Sequence, residues 1–232
     1  MRIVQISDSH ISLDRPARTA ELERCIRHIN DVDSKPDIVV HTGDIAHNGL
    51  AEEYKTAREL LDNLSVPYIV LAGNRDSRSE LLKAFADICH DPLDGRFVQY
   101  TVELAGIRLL CVDTVSDTSN KGRLCQTRLK HVEAVLTTEP SRPTVLLLHH
   151  PPFGVDVAPD PFQFEDWSEV EALQALIHQH HNVQAIYCGH VHREARAAIG
   201  PVAAHVATCI ASDLRWDAVT DCVYTHTIEL GR

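Results

Sequence analysis

Short apolar runs alternate with longer amphipathic stretches through the first 90 residues, and the two kinds of segment differ in period. Arg2–Ile6, Ile38–His41 and Tyr68–Ala72 are brief, mainly apolar runs, which predicts buried strands. Between them, Thr19–Asp33 places Leu22, Ile26 and Ile29 on one helical face, Ala51–Asn63 reads as a second helix, and Ser79–Ala86 as a short third. Strands separated by helices imply a parallel sheet with helices covering it.

The pattern then changes. Phe97–Leu104 and Ile107–Asp113 read as two strands joined through Ala105-Gly106, a tight hairpin. A helix over Cys125–Thr137 and a strand over Thr144–Leu148 follow, and Pro151-Pro152 ends regular structure at once. The polar, Pro-interrupted stretch Phe153–Trp167 is long enough for a lid or substrate loop, with Phe162, Phe164 and Trp167 either covering a bound base or packing the start of the next helix. Ser168 is placed to cap a helix running to His180, with Glu171 as its capping-box partner. Val183–Cys188 is a further strand, and Ala195–Ile199, Val202–Ala207 and Val223–Glu229 suggest antiparallel strands. With no repeat and no interdomain linker, the pattern predicts one domain over 1–232, built of two sheets packed together with helices outside.

The chemistry lies where strands end. Arg2–Ile6 runs into Asp8 and His10, Ile38–His41 into Gly43-Asp44, and Tyr68–Ala72 into Gly73-Asn74-Arg75-Asp76. Thr144–Leu148 runs into His149-His150, and Val183–Cys188 into Gly189-His190-Val191-His192. Sites in α/β sheets form outside the carboxyl ends of strands, so five such ends bring carboxylate, imidazole and amide groups to one edge. Gly43, Gly73 and Gly189 suit sharp exits beside such a site. Mixed oxygen and imidazole donors without a cysteine suit Mn²⁺, Fe²⁺/Fe³⁺ or Zn²⁺. Two such ions need a bridging anion, which Asp44 can supply, and metal-bound water becomes a nucleophile near neutral pH.

Composition agrees with that reading. Fifteen histidines is a high number, and seven cysteines without a C-x-x-C pair read as reduced thiols of a cytoplasmic protein. A net charge of -11 disfavours a nucleic-acid polymer as partner, while two dications would still allow a small anionic substrate. The chain enters a strand directly after Met1, which predicts no signal peptide, and no apolar run approaches membrane-spanning length.

In this order, D-x-H, G-D, G-N-x-D, H-x-P-P and G-H-x-H resemble the calcineurin-like metallophosphoesterases, and the H-H-P-P form is most similar to class III cyclic nucleotide phosphodiesterases and glycerophosphodiesterases. The resemblance implies an α/β four-layer sandwich, two mixed sheets face to face and flanked by helices. It implies one metal held by Asp8, His10 and His192, another by Asn74, His149 and His190, with Asp44 shared. It also implies hydrolysis of a phosphodiester, 3',5'-cyclic nucleotides being the specific expectation, by a metal-bridging hydroxide. The alternatives are a phosphomonoesterase acting on a nucleotide or sugar phosphate, and a noncatalytic scaffold. A homodimer through the 97–113 hairpin or the C-terminal strands is a further expectation. One position departs from the family: G-N-H-D is usual, and Arg75 replaces the histidine. Arginine keeps its proton, so Arg75 is expected to bind phosphate and leave proton donation to water, His47 or His150.

Each residue also has an ordinary use. Asp8, His10 and Asp44 could cap helices and Asn74 could form a turn, but their joint placement at five strand ends sets those uses aside. The ordinary reading is kept for His178, His180 and His181 at a helix end and for Asp113 and Asp117 in a solvated turn.

Overall fold

The computed structural model describes residues 1–156, 160, 162–216 and 226–229, the last as backbone. Strands β1 (Arg2–Ile6), β2 (Ile38–His41) and β3 (Tyr68–Val70) alternate with helices α1 (Pro16–Asp31), α2 (Ala51–Leu61) and α3 (Arg78–Ala84). Then come β4 (Tyr100–Leu104), β5 (Ile107–Val112), α4 (Gln126–Thr138), β6 (Thr144–Leu148), α5 (Trp167–Gln179), β7 (Val183–Cys188), β8 (Ala195–Ile199), β9 (Val202–Val206) and β10 (His226–Glu229). Among the described residues one sheet has the order β10-β1-β2-β3 and the other β4-β5-β6-β7-β9-β8.

Side-chain alternation builds the layers. Leu109, Cys111, Val145, Leu147, Ala185 and Tyr187 join the core shared with β1–β3 and α1–α3. Their neighbours Leu110, Val112, Leu146, Leu148, Ile186 and Cys188 point the other way and pack under α4 and α5. That period of two buries both faces of the larger sheet and explains why its central strands are mostly apolar, with Arg108 and Gln184 near their ends as exceptions. The result is the expected sandwich of helices, sheet, sheet and helices.

Most boundaries agree with the sequence pattern, and the differences have local causes. Helix α1 begins at Pro16 rather than Thr19, because proline at the first turn gives up no hydrogen bond. Asp166, not Ser168, caps α5: its carboxylate accepts from the Ser168 amide at 3.0 Å, and Glu169 rather than Glu171 stands in the first turn. Strand β4 starts at Tyr100, since the Phe97 amide bonds Leu93 and the Val98 amide bonds the Asp113 carboxylate. The hairpin at Ala105-Gly106 forms with both residues at positive φ, 50° and 81°. The terminal strands divide: β8 and β9 are antiparallel, β9 lies parallel to β7, and β10 pairs antiparallel with β1 across the other sheet. Residues 223–225 of the last expected strand lie outside the described residues. No helix among the described residues is long and apolar enough to cross a membrane.

Candidate metal centre

The parallel strands β1, β2, β3, β6 and β7 deliver their following loops to one edge, and the chain is tightly bent there. Asp8, His10, Asp44, His190 and His192 all take positive φ, between 45° and 78°, which costs non-glycine residues energy and concentrates at functional sites. Backbone bonds tie the loops together: the Asp8 amide donates to Gly43 and the His10 amide to Asp44, at 3.0 and 2.9 Å. Space is equally tight. A Cβ on Gly73 would fall on Asp44 and on His149, and one on Gly189 would fall on Ser7 and Asp8, so both positions need glycine for room. Gly43 needs it for conformation as well, with φ at 97°.

Two groups of donor atoms result. In the first, His10 Nε2 and His192 Nε2 face each other at 3.1 Å, with Asp8 Oδ1 3.8 Å from the former and 3.4 Å from the latter. In the second, Asn74 Oδ1 lies 3.0 Å from His149 Nε2 and 2.8 Å from His190 Nδ1. Asp44 stands between them, Oδ2 at 3.5 Å from His10 Nε2 and Oδ1 at 3.5 Å from His149 Nε2. One carboxylate thus presents one oxygen to each group.

Tautomers follow from the outer contacts. His149 Nδ1 donates to the Thr42 carbonyl at 2.8 Å, and burial holds its pKa below the ordinary imidazole value. Its single proton is therefore on Nδ1, and the Nε2 lone pair faces the Asn74 oxygen. His192 Nδ1 donates to the Leu214 carbonyl at 3.0 Å, which aims its Nε2 at Asp8 and His10. Burial also lowers His10 to about 2 and His190 to about 3. His192 runs the other way: burial lowers it, but the adjoining Asp8 carboxylate, 3.4 Å away, and the Asp44 charge raise it overall. Asp44 is raised by burial first and by its neighbours Asp8 and Asp76 second. Asp8 Oδ1 is buried with no hydrogen-bond partner. Imidazole nitrogens and carboxylate oxygens converging on two points fit divalent cations.

Three other residues need placing. His150 is adjacent, and its ring lies 4.3 Å from that of His190, but both nitrogens are engaged: Nε2 donates to the Asn120 carbonyl at 3.0 Å and Nδ1 accepts from the Thr114 hydroxyl at 2.8 Å. That argues against His150 as proton donor. Cys209 sits near His10 and His192, yet its thiol donates to the Asp8 carbonyl and burial pushes its pKa well up, which makes it a poor ligand. Arg75 bonds the centre through its backbone, the amide donating to Asp44 Oδ1 at 2.7 Å, while its Nε donates to the His47 carbonyl at 3.0 Å. His47 Nδ1 in turn lies 3.5 Å from His10 Nδ1.

Several residues support the centre without joining either donor group. Asp76 accepts from the Ile45, Ala46 and Gly73 amides and the Tyr54 hydroxyl, pinning the loops after β2 and β3. Gln163, from the stretch expected to be a lid, places Oε1 2.9 Å from His190 Nε2. In that stretch Phe164 is buried beside His150, whereas Phe162 is exposed and stacks edge-on against Trp167; residues 157–159 and 161 lie outside the described residues. Asp113 corrects the expectation of a solvated turn, being fully buried between Arg78 and Arg128, while Asp117 is exposed as expected.

Comparison with known proteins bears on this arrangement. The sequence pattern described as Calcineurin-like phosphoesterase matches residues 1–194. The chain is 32% identical over 234 residues to a probable glycerophosphodiester phosphodiesterase of Arcobacter nitrofigilis, covering 96% of this chain and 85% of that protein. It is 27% identical to a probable cyclic nucleotide phosphodiesterase of Rhodopseudomonas palustris, covering 95% and 82%. Among solved structures, a dimetal phosphatase from Danio rerio superposes with a TM-score of 0.75 at 16% identity, covering 90% of this chain and 88% of that one, which supports the fold.

Proposed function

This chain belongs to the calcineurin-like phosphoesterase family and is a metal-dependent phosphodiesterase, and from that premise we propose which residues act and on what. Asp8, His10 and His192 would hold one divalent cation, Asn74, His149 and His190 a second, and Asp44 both. The observation that carries this is the two-sided Asp44 carboxylate, 3.5 Å from a ring nitrogen of each group. When bound, such a pair neutralises charge on phosphoryl oxygens and lowers the pKa of water toward neutrality. Manganese, iron or zinc is the reading for the ions, because the donors are oxygen and imidazole.

The chain's own groups then orient the ester. Arg75, whose backbone amide bonds Asp44, would bind a phosphoryl oxygen through its guanidinium, which the His47 carbonyl steadies. His47 is the better placed of the two candidate donors to the leaving group, since no other described residue hydrogen-bonds its Nε2. A cavity of about 520 Å³ opens beside Asn74, lined by Ser77, Arg78, Arg96, Phe97 and Ser116. The Phe97 ring there is already attended by three guanidinium groups, those of Arg78, Arg96 and Arg128, at 5.3, 4.3 and 4.9 Å. A hydroxyl- and guanidinium-lined space without an open aromatic face suits a hydroxylated arm better than a planar base. We therefore read the substrate as a small glycerophosphodiester in preference to a cyclic nucleotide. Buried, unpaired thiols at Cys25, Cys89, Cys111, Cys188 and Cys209 support a reducing, cytoplasmic setting.

Turnover of a chromogenic diester and monoester, then of a glycerophosphodiester and 3',5'-cyclic AMP, all with Mn²⁺, tests the reading. The diester and the glycerophosphodiester are expected to show the larger kcat/KM. A preference for cyclic AMP would overturn the substrate assignment, and a preference for the monoester would overturn the reaction class.

A further inference from the structure

Residues beyond the 1–194 family match reach back to the metal centre. A 3₁₀ turn, Ser212–Leu214, follows β9. Its Leu214 carbonyl accepts from His192 Nδ1 at 3.0 Å and so fixes the direction of His192 Nε2. Helix α1 grips that turn with two residues spaced one helical turn apart. The Arg18 Nε and Nη2 atoms donate to the two oxygens of Asp213, both at 2.9 Å, and Glu21 accepts from the Ser212 amide at 3.0 Å and from its hydroxyl. The Arg18 Nη1 atom donates to the His10 carbonyl at 3.3 Å. One guanidinium therefore joins the loop that carries His10 to the turn that aims His192, the two imidazoles whose Nε2 atoms lie 3.1 Å apart.

The second donor group is oriented by other means. His149 is held by the Thr42 carbonyl and His190 contacts Gln163, and neither bond involves Arg18 or Asp213. Arg18 is buried, with 4% of its side chain exposed, while Asp213 is 45% exposed. A pair so placed is weak support for stability alone, since removing a guanidinium from water offsets much of the attraction. What a rigid two-pronged bond supplies is direction.

We propose that the Arg18–Asp213 pair is a positioning device that sets the metal affinity of the Asp8/His10/His192 position without setting that of the Asn74/His149/His190 position. The proposal rests on the two-cation reading above. Contacts that orient imidazole ligands in this way are worth roughly 10–100-fold in metal affinity.

The test is calorimetric titration of the chelator-stripped full chain with Mn²⁺, comparing wild type with Arg18→Ala, Arg18→Lys and Asp213→Asn, alongside the melting temperature of each metal-free protein. Two equivalents are expected to bind to wild type. In the variants one association constant should fall by about 10–100-fold and the other by less than about threefold, with Arg18→Lys losing less than Arg18→Ala because it keeps the charge but not the fork. At one equivalent of Mn²⁺, the variants should show the spectrum of isolated ions by electron paramagnetic resonance. Unchanged constants, or two constants falling together in step with a lower melting temperature, would show a purely structural pair and overturn the proposal. Fewer than two equivalents on wild type would overturn the two-cation reading itself and the proposal with it. Should Arg18→Ala fail to fold, the part-exposed Asp213→Asn carries the same comparison.

Discussion

Among single side chains, Asp44 and Asp76 illustrate two different dependences. Asp44 faces both donor groups, so Asp44→Asn, which keeps the shape and removes the charge, is expected to lower kcat/KM by at least about 100-fold with little change in the melting temperature of the metal-free chain. Asp76 touches neither group but satisfies four buried donors. Asp76→Ala would strand those donors and should cost about 2–4 kcal/mol in urea unfolding. His41 gives a pH dependence. Burial lowers it to about 4 and its Nδ1 has no partner, so the folded chain keeps it neutral where the unfolded chain would protonate it near pH 6.5. Its contribution is present above about pH 6.5 and is lost as the pH falls toward 4. His41→Gln should therefore flatten the acid limb of stability in the metal-free protein; an unaltered limb would show that His41 does not titrate this way. The ligands were legible as residues because they follow apolar runs at once. Gln163, Arg18 and Asp213 were not, since each acts on a partner 27 to 195 positions away and nothing local marks it.

Elements were predicted well where period alone decides them. β1, β2, β6 and β7 begin and end where the apolar runs do, because a strand largely buried on both faces carries few polar residues, Gln5 and Gln184 being the interior exceptions. Ends set by capping were less visible. Asp166 and Ser168 are both acceptable caps, and only the carboxylate bond to the Ser168 amide separates them. Asp166→Ala should lower the melting temperature, and Ser168→Ala should lower it by less. The β4–β5 hairpin contains an avoidable strain: Ala105 sits at φ 50°, a conformation that disfavours a Cβ. Ala105→Asn is expected to raise stability by about 0.5–1 kcal/mol in thermal or urea unfolding without changing turnover.

At the scale of the whole molecule, the two sheets serve one edge. The β1–β3 sheet supplies Asp8, His10, Asp44 and Asn74, and the β4–β9 sheet supplies His149, His190 and His192, so the centre exists only once the sheets have packed. That convergence was foreseeable from strand ends, and its division into two groups either side of Asp44 from the family resemblance; the distances that separate the groups came only with the fold. It also makes metal a ligand of the folded state, so that chelation should lower the melting temperature in proportion to ion affinity. The most direct test of the account is an anomalous-difference map from Mn²⁺-loaded crystals. It should show two peaks per chain, one among Asp8, His10 and His192 and one among Asn74, His149 and His190, with Asp44 between them. A single peak, or peaks at His150 or Cys209 instead, would contradict it.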